Sequence, residues 1–514
     1  MGTVENLVYD LLVIGGGING VGIANEAAQR GLSIVLCEQN DLASGTSSRS
    51  SKLIHGGLRY LEYYEFRLVR EALTEREVLL QMAPHIIKPL RFVLPHHKAL
   101  RPTWMIRAGL FMYDHLGGRK ILPASRSLNL RKSQQGEPLK NEFVRGFEYS
   151  DCWVDDARLV LLNALQAQEH GAKILTRTRI EAAEKVGNIW RARMVDVDTG
   201  VAQTVFAKGI VNAAGPWVED VLKQKLGVRT KKGVRLIKGS HIVVPKLYDG
   251  EQAYILQNHD NRIAFVIPYE NDFSLIGTTD VPYTDDPAHV AIEQEESEYL
   301  CQLVSEYFNK PVTTQDIVWT YSGVRPLYDD DSDNPSAVTR DYVFSLRHDN
   351  GQTPVLSIFG GKITTYRQLA LHAIRDLAPF FKLRAKTQEL APLPGGDIGD
   401  FNEFLASLQL RNPWLPARMA KRLARAYGGR VNDILRGASS LADLGQHFGA
   451  DLYQREVEFL VAREWARSAE DILWRRSKLG LHLNADQVLA FDEWFQANIS
   501  GHHVRIEPLQ QLAG

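Results

Sequence analysis

Residues 46–62 read TSSRSSKLIHGGLRYLE, and their types call for a ligand. A solvated loop can carry hydroxyls and charges, but His55-Gly56-Gly57-Leu58-Arg59-Tyr60 sets an imidazole, two glycines, a guanidinium and a phenol too close together for an ordinary linker. Three other polar residues stand in similarly odd company. Lys362 follows Gly360-Gly361 and precedes Thr364 and Thr365, candidate caps of a helix whose positive end disfavours a cation. That position suggests a counter-anion, the plain alternative being a lysine snorkelling to solvent. Arg325, in YSGVRPL, lies between Gly323 and Pro326 at a strand end or turn, where a salt bridge to Asp329–Asp331 is the plain alternative. His241 sits in the apolar run LIKGSHIVVP; a lone histidine there is commonly a core residue, yet as a general base it would titrate near working pH without much tuning. Such a base contributes on the order of 10²-fold to 10⁴-fold in rate.

The element that must position these groups opens the chain. YDLLVIGGGINGVGIANEAAQRGLSIVLCE reads as strand, glycine turn, helix, Gly31 and a second strand ending in an acid, a βαβ unit. Gly15, Gly17 and Gly20 give GxGxxG: the first permits the tight turn, the second the approach of a pyrophosphate, the third close helix packing. Ile18 and Asn19 open the helix, whose free N–H groups favour anions. Glu38, eighteen residues after Gly20, is placed to accept hydrogen bonds from ribose hydroxyls. The unit predicts a dinucleotide site. Two later segments repeat its logic: GIVNAAGPWVEDVL, turning at Ala213-Ala214-Gly215, and LSIFGGKITTYRQLALHAI, turning at Gly360-Gly361. Three glycine turns feeding helix starts suggest one long ligand in one domain, and FAD has that length.

With the opening unit, the segments SSKLIHGGLRY, VNAAGPW and GGKITTYRQLA resemble those of FAD-dependent glycerol-3-phosphate dehydrogenases. The likeness runs on through GFEYSDCWVDDARLV, IKGSHIVVP, IGTTDV, IVWTYSGVRPL and LWRRSKLGLHLNADQ, so it covers essentially the whole chain in order. Glu26 is one departure, standing where the family helix usually carries Asp. The resemblance implies oxidation of sn-glycerol 3-phosphate to dihydroxyacetone phosphate, non-covalent FAD, and electron transfer to quinone. It implies that Arg59, Tyr60, His241, Thr278, Arg325 and Lys362 line the substrate site, with His241, Arg325 and Lys362 serving catalysis. It also implies FAD contacts from Ser47 and Ser48 at the pyrophosphate and from Lys52, Leu53, His55 and Gly57 beneath the flavin, joined by Ala214, Gly215, Gly360, Lys362 and Thr364. Three alternatives stay open: an oxidase using oxygen, an amine or amino-acid oxidase of the same fold, and a flavin-binding regulatory protein without turnover.

Composition narrows the partners. Sixty Lys plus Arg against sixty-one Asp plus Glu leave no basic field for nucleic acid. Cys37, Cys152 and Cys301 are widely spaced and in no metal-ligand pattern, so reduced thiols in a cytoplasmic protein, without metal, are expected. No signal peptide or spanning segment is legible, and a membrane would be met from its inner face by an amphipathic helix, 101–120 or 365–386. A homodimer is an admissible assembly. The expected fold is α/β plus α+β: a discontinuous Rossmann-like FAD domain (1–85, 150–220 and 325–385), an antiparallel substrate-binding cap (86–149 and 221–324) and a helical C-terminal domain (392–514) rich in core tryptophan.

Overall fold

The computed structural model describes residues 7–97, 100–230, 232–258, 262–329, 341–386 and 390–500. The chain divides into two compact units, Met1–Leu393 and Pro394–Gly514. In the first, β1 (Val8–Ile14), α1 (Ile18–Gln29) and β2 (Ile34–Cys37) form the opening βαβ unit. β1 runs parallel to β2 and to the strand Ala202–Asn212, which is in turn parallel to Gln352–Phe359. All four residues of β2 are buried, as a strand covered on both faces requires. Small residues let α1 approach its neighbours: a Cβ on Gly22 would come within 2.8 Å of the Tyr366 ring.

The second sheet of this unit is mostly antiparallel. Ala253–Gln257, Ile263–Tyr269 and Phe273–Gly277, separated by Asn/Asp-rich connections, pair in sequence as their alternating apolar pattern predicts. Phe273–Gly277 then pairs with Val234–Pro245, which also takes Trp319–Tyr328. Pieces allotted by sequence to the cofactor domain, Leu53–Ile54, the end of Arg145–Val154 and Arg325–Tyr328 at the end of Trp319–Tyr328, lie in strands of this sheet. The strand pairing thus departs from the motif boundaries, since Leu53–Ile54 pairs with Cys152 and Trp153 in this second sheet.

Three further helices matter for the site. α2 (Phe66–Met82) follows the His55–Tyr60 segment, α3 (Thr103–Leu116) packs on it, and α4 (Asp156–Glu169) is capped by the Asp155 carboxylate accepting from the Arg158 amide. The two amphipathic stretches have opposite surroundings. In Tyr366–Leu377 the apolar side, including Leu369, Ala373 and Leu377, is core; Arg367 pairs with Glu75, and Lys386 farther on pairs with Glu26. On α3 only Leu110 and Tyr113 are buried, while Trp104 is 68% and Phe111 58% exposed.

The second unit is built around helices Phe401–Arg411, Ala417–Tyr427, Gln454–Glu464 and Ala485–Phe495, with Leu423, Tyr427, Leu460 and Phe491 at its centre. Trp414, Trp474 and Trp494 pack against that core. Inside it Arg422 forks onto Glu456 at 2.7 and 2.8 Å, and Tyr427 donates to the same carboxylate.

Candidate active site

The parallel strands bring the glycine turns together. Ile14 lies opposite both Cys37 and Asn212, and Asn212 opposite Ser357, so Gly15, Glu38, Ala214-Gly215 and Gly360-Gly361 emerge at one end of the sheet. Gly15 has φ +108°, and a Cβ there would sit 2.6 Å from the Ala213 carbonyl oxygen. Gly20 packs against the Gly15 carbonyl. Asn19 Nδ2 donates to the Gly360 carbonyl at 3.1 Å, which ties α1 to the third turn and leaves Asn19 Oδ1 buried with no hydrogen-bond donor among the described residues. The Ser47 hydroxyl oxygen accepts from the Ile18 amide at 3.0 Å, at the very helix start meant for phosphate. Glu38 accepts from Gly16 and Asn40 amides at 2.7 and 2.8 Å; burial pushes its carboxyl up, and these two donors oppose that shift. Side chains at Gly15 or Gly17 would crowd the turn, a buried acceptor waits on Asn19, and a carboxylate closes β2. This set fits FAD: α1 and Ser47-Ser48 would hold the phosphates, Glu38 the ribose.

The second group lies on the antiparallel sheet. His241 is opposite Gly277 on one neighbour and Tyr321 on the other. The imidazole lies flat on the Tyr321 ring, centroids 4.7 Å apart, and a Cβ on Gly277 would collide with it. His241 Nε2 is 2.9 Å from Ser51 Oγ, while Nδ1 is buried without a hydrogen-bond partner among the described residues. Burial first, then Lys52 and Arg325, pushes the His241 pKa down to about 3. The expectation of a histidine titrating near working pH is therefore corrected: in this pocket the ring is neutral, because a charged imidazolium would be desolvated beside two cations. Arg325, opposite Ile237, donates through Nη2 to Asp280 at 2.8 Å and the Thr279 carbonyl at 3.3 Å; the Thr278 hydroxyl donates to that same carbonyl. Asp329, the partner considered from sequence, pairs with Arg235 instead, and Asp330 and Asp331 lie outside the described residues. The strand passes under this group at Gly239, where a Cβ would stand 2.6 Å from Thr278 Oγ1 and 3.2 Å from Arg325 Nη2.

The third group joins Lys362 to Tyr60. Gly57, at φ +70°, opens a 3₁₀ turn Leu58–Tyr63 that carries Arg59 and Tyr60. Lys362 Nζ lies 4.2 Å over the Tyr60 ring. Neither Arg59 nor Lys362 forms an ion pair among the described residues, unlike Arg325. The His55 amide approaches Thr364 Oγ1 at 3.4 Å, so the segment is tied to the turn holding Lys362. Ser51 touches His241 and Tyr60 touches Lys362, so the ten residues from Ser51 to Tyr60 link the two groups.

Lys52 has a different setting from the one expected beneath a flavin. Its ammonium is buried on Asp156 at 2.9 and 3.1 Å and on the Ser48 carbonyl at 3.0 Å. The same carboxylate accepts from the Ser50 hydroxyl, and Tyr321 donates to the Ser50 carbonyl. Lys52 is thus a brace between α4, the Ser47–Ser51 loop and the ring under His241. Ser51, Asp156, Asp280 and Tyr321 escaped the sequence reading; Asp280 alone had a local signal, standing two residues after Thr278 in IGTTD.

Comparison with known proteins accords with this geometry. Residues 10–367 match the FAD dependent oxidoreductase family, and residues 386–493 match the C-terminal domain of alpha-glycerophosphate oxidase. The chain is 58% identical to a glycerol-3-phosphate dehydrogenase of Pseudomonas aeruginosa over 95% of both proteins. It is 53% identical to a D-erythritol 1-phosphate dehydrogenase of Brucella abortus, over 95% of this chain and 97% of that one. Its structure is similar to that of the glycerol-3-phosphate dehydrogenase from Bacillus halodurans complexed with FAD, with TM-score 0.74, 27% identity, and coverage of 98% of this chain and 97% of the other. The chain belongs to the FAD-dependent oxidoreductase family, within the group that contains the glycerol-3-phosphate dehydrogenases.

Proposed function

We propose that the protein oxidises sn-glycerol 3-phosphate to dihydroxyacetone phosphate. FAD, held without a covalent bond, supplies the hydride acceptor when bound. The observation that carries the reading is the pair of cations Arg59 and Lys362, which form no ion pair among the described residues; Arg59 shares its segment with Tyr60, the ring under Lys362, and with Ser51, the neighbour of His241. A phosphomonoester dianion supplies the missing counter-charge, and forked guanidinium geometry suits it. Arg325 contributes by exchanging part of its contact with Asp280 for substrate. Neutral His241, with Nε2–H donating to Ser51, presents a free Nδ1 lone pair as the hydroxyl-proton acceptor. A bound dianion offsets the neighbouring cations that depress this ring, which raises its basicity when substrate arrives.

Quinone as electron acceptor and attachment to the inner face of the cytoplasmic membrane belong to the same reading. No helix among the described residues is long and apolar enough to cross a membrane. The exposed face of α3, with Trp104, Phe111 and Met112, supports a monotopic contact, and Arg101, Arg107, Arg119 and Lys120 against Asp114 favour anionic headgroups. The similarity to the D-erythritol 1-phosphate enzyme favours a four-carbon polyol phosphate as the second reading. Anaerobic titration of the holoenzyme decides between them: glycerol 3-phosphate should bleach the flavin absorbance at lower concentration than D-erythritol 1-phosphate, and glycerol should not. The reverse order would replace the substrate, and no bleaching by either would end the reading.

A further inference from the structure

Gly56 lies midway along the segment that joins the two substrate groups, and its backbone amide is held from behind. The amide donates to the Tyr113 hydroxyl at 2.9 Å and makes a longer contact with Asp151 Oδ1 at 3.3 Å. Tyr113 donates its own proton to Asp151, with oxygen distances of 2.8 and 2.9 Å. Arg76 of α2 completes the set, donating to Asp151 at 2.6 Å and to the Ser150 carbonyl at 2.7 Å. Asp151, Tyr113 and Arg76 are all nearly solvent-free, at 1, 2 and 3% exposure. Burial and the adjacent carboxylate hold the Tyr113 phenol protonated, so it remains both donor and acceptor.

The contact is close-packed as well as polar. A Cβ on Gly56 would lie 2.7 Å from the Tyr113 hydroxyl and would overlap Leu73, whose Cδ2 would be 2.4 Å away. No slack exists there for the segment to shift sideways. Immediately downstream Gly57 turns the chain into Leu58–Tyr63, where the Tyr60 amide donates to the Gly57 carbonyl at 2.8 Å. The positions of Arg59 and Tyr60 are therefore referred to the Gly56 amide, and through it to a phenol on another helix.

We propose that Tyr113, with Asp151, is a positioning residue for the substrate phosphate: its hydroxyl fixes the Gly56 amide and thereby the direction in which Arg59 leaves the chain. The inference rests on the phosphate-binding reading of Arg59 given above. Removing the hydroxyl leaves Gly56 with its longer bond and takes one donor from a buried carboxylate, while Arg59 itself is untouched. Arg59 then samples several directions and binds a dianion less well.

The test compares Tyr113→Phe holoenzyme with wild type. Calorimetric titration with inorganic phosphate and anaerobic flavin bleaching by glycerol 3-phosphate should both require about 10-fold more ligand, while bleaching at saturation keeps its rate and FAD content stays complete. That 10-fold is the effect of losing about 1.4 kcal/mol of preorganisation. Leu110→Ala, on the same buried face of α3, should lower the melting temperature and leave phosphate affinity alone. In an Arg59→Ala background, Tyr113→Phe should add nothing further, since its effect passes through Arg59. Additive losses in the double variant, or a Tyr113→Phe change matched by Leu110→Ala, would overturn the proposal. Failure of wild type to be bleached would strike the substrate reading instead, and the phosphate titration would still judge Tyr113.

Discussion

The proposed cofactor cradle and the proposed substrate wall are built by opposite means. At the end of the parallel sheet, contacts are made by backbone and by missing side chains: Gly15, Gly20 and Gly361 make room, and amides face the acids and hydroxyls. On the antiparallel sheet the contacts are side chains, each held by a partner from elsewhere in the chain: His241 by Ser51, Arg325 by Asp280, Lys52 by Asp156. A cradle of backbone can be disabled only by filling it. A wall of braced side chains can be loosened one brace at a time, with the cofactor left in place.

The largest effect that would test this contrast is on stability. Lys52→Met should cost about 3–5 kcal/mol of unfolding free energy, because it leaves the Asp156 carboxylate buried beside an apolar chain. Urea unfolding measures it; a loss under about 1 kcal/mol would mean that water reaches the pair, which the geometry opposes. The next comparison pits cradle against wall directly. Gly15→Ala, forced into a left-handed turn against the Ala213 carbonyl, should yield protein depleted of FAD by the absorbance ratio. Arg59→Ala should keep its FAD and raise KM by about 10-fold to 100-fold, the equivalent of one or two charged hydrogen bonds. If Arg59→Ala lost flavin too, the two regions would not be separable.

The smallest effect concerns pH. The His241 pKa lies at about 3 in the folded protein, below its ordinary 6.5, so the folded state resists a proton that the unfolded chain accepts. The histidine's stabilising contribution is complete above about pH 6.5 and declines as pH falls from there towards 3. His241→Gln should flatten the fall of melting temperature between about pH 6 and 4 relative to wild type. An unaltered slope would assign the acid sensitivity to other groups.

Legibility in the sequence followed the same division. The glycine turns, Glu38 and the opening βαβ unit could be read because a tight turn demands glycine within a few residues, and the motif carries its own spacing. The place of Lys362 was legible for a local reason as well, a cation just before a helix start. The pKa of His241 was not, since it depends first on burial and then on Lys52 and Arg325, one nearly two hundred residues upstream and the other on a neighbouring strand. Asp156 and Tyr113 were hidden for the same cause: both belong to helices whose sequences explain their packing without reference to the loop they hold. The two amphipathic stretches were indistinguishable by pattern, and only the presence of α1 against Tyr366–Leu377 separated them.

α3 faces two masters. On its inner side Leu110 is buried in the core and Tyr113 holds the Gly56 amide, whereas Trp104, Phe111 and Met112 on its outer side are exposed, Phe111 lying against His115 of the same helix. Substitution can therefore act on the two sides separately. On the membrane contact proposed above, a lineage that exchanged the outer three for polar residues would relocate the enzyme without retuning its chemistry, so address and activity would drift apart along a single helix.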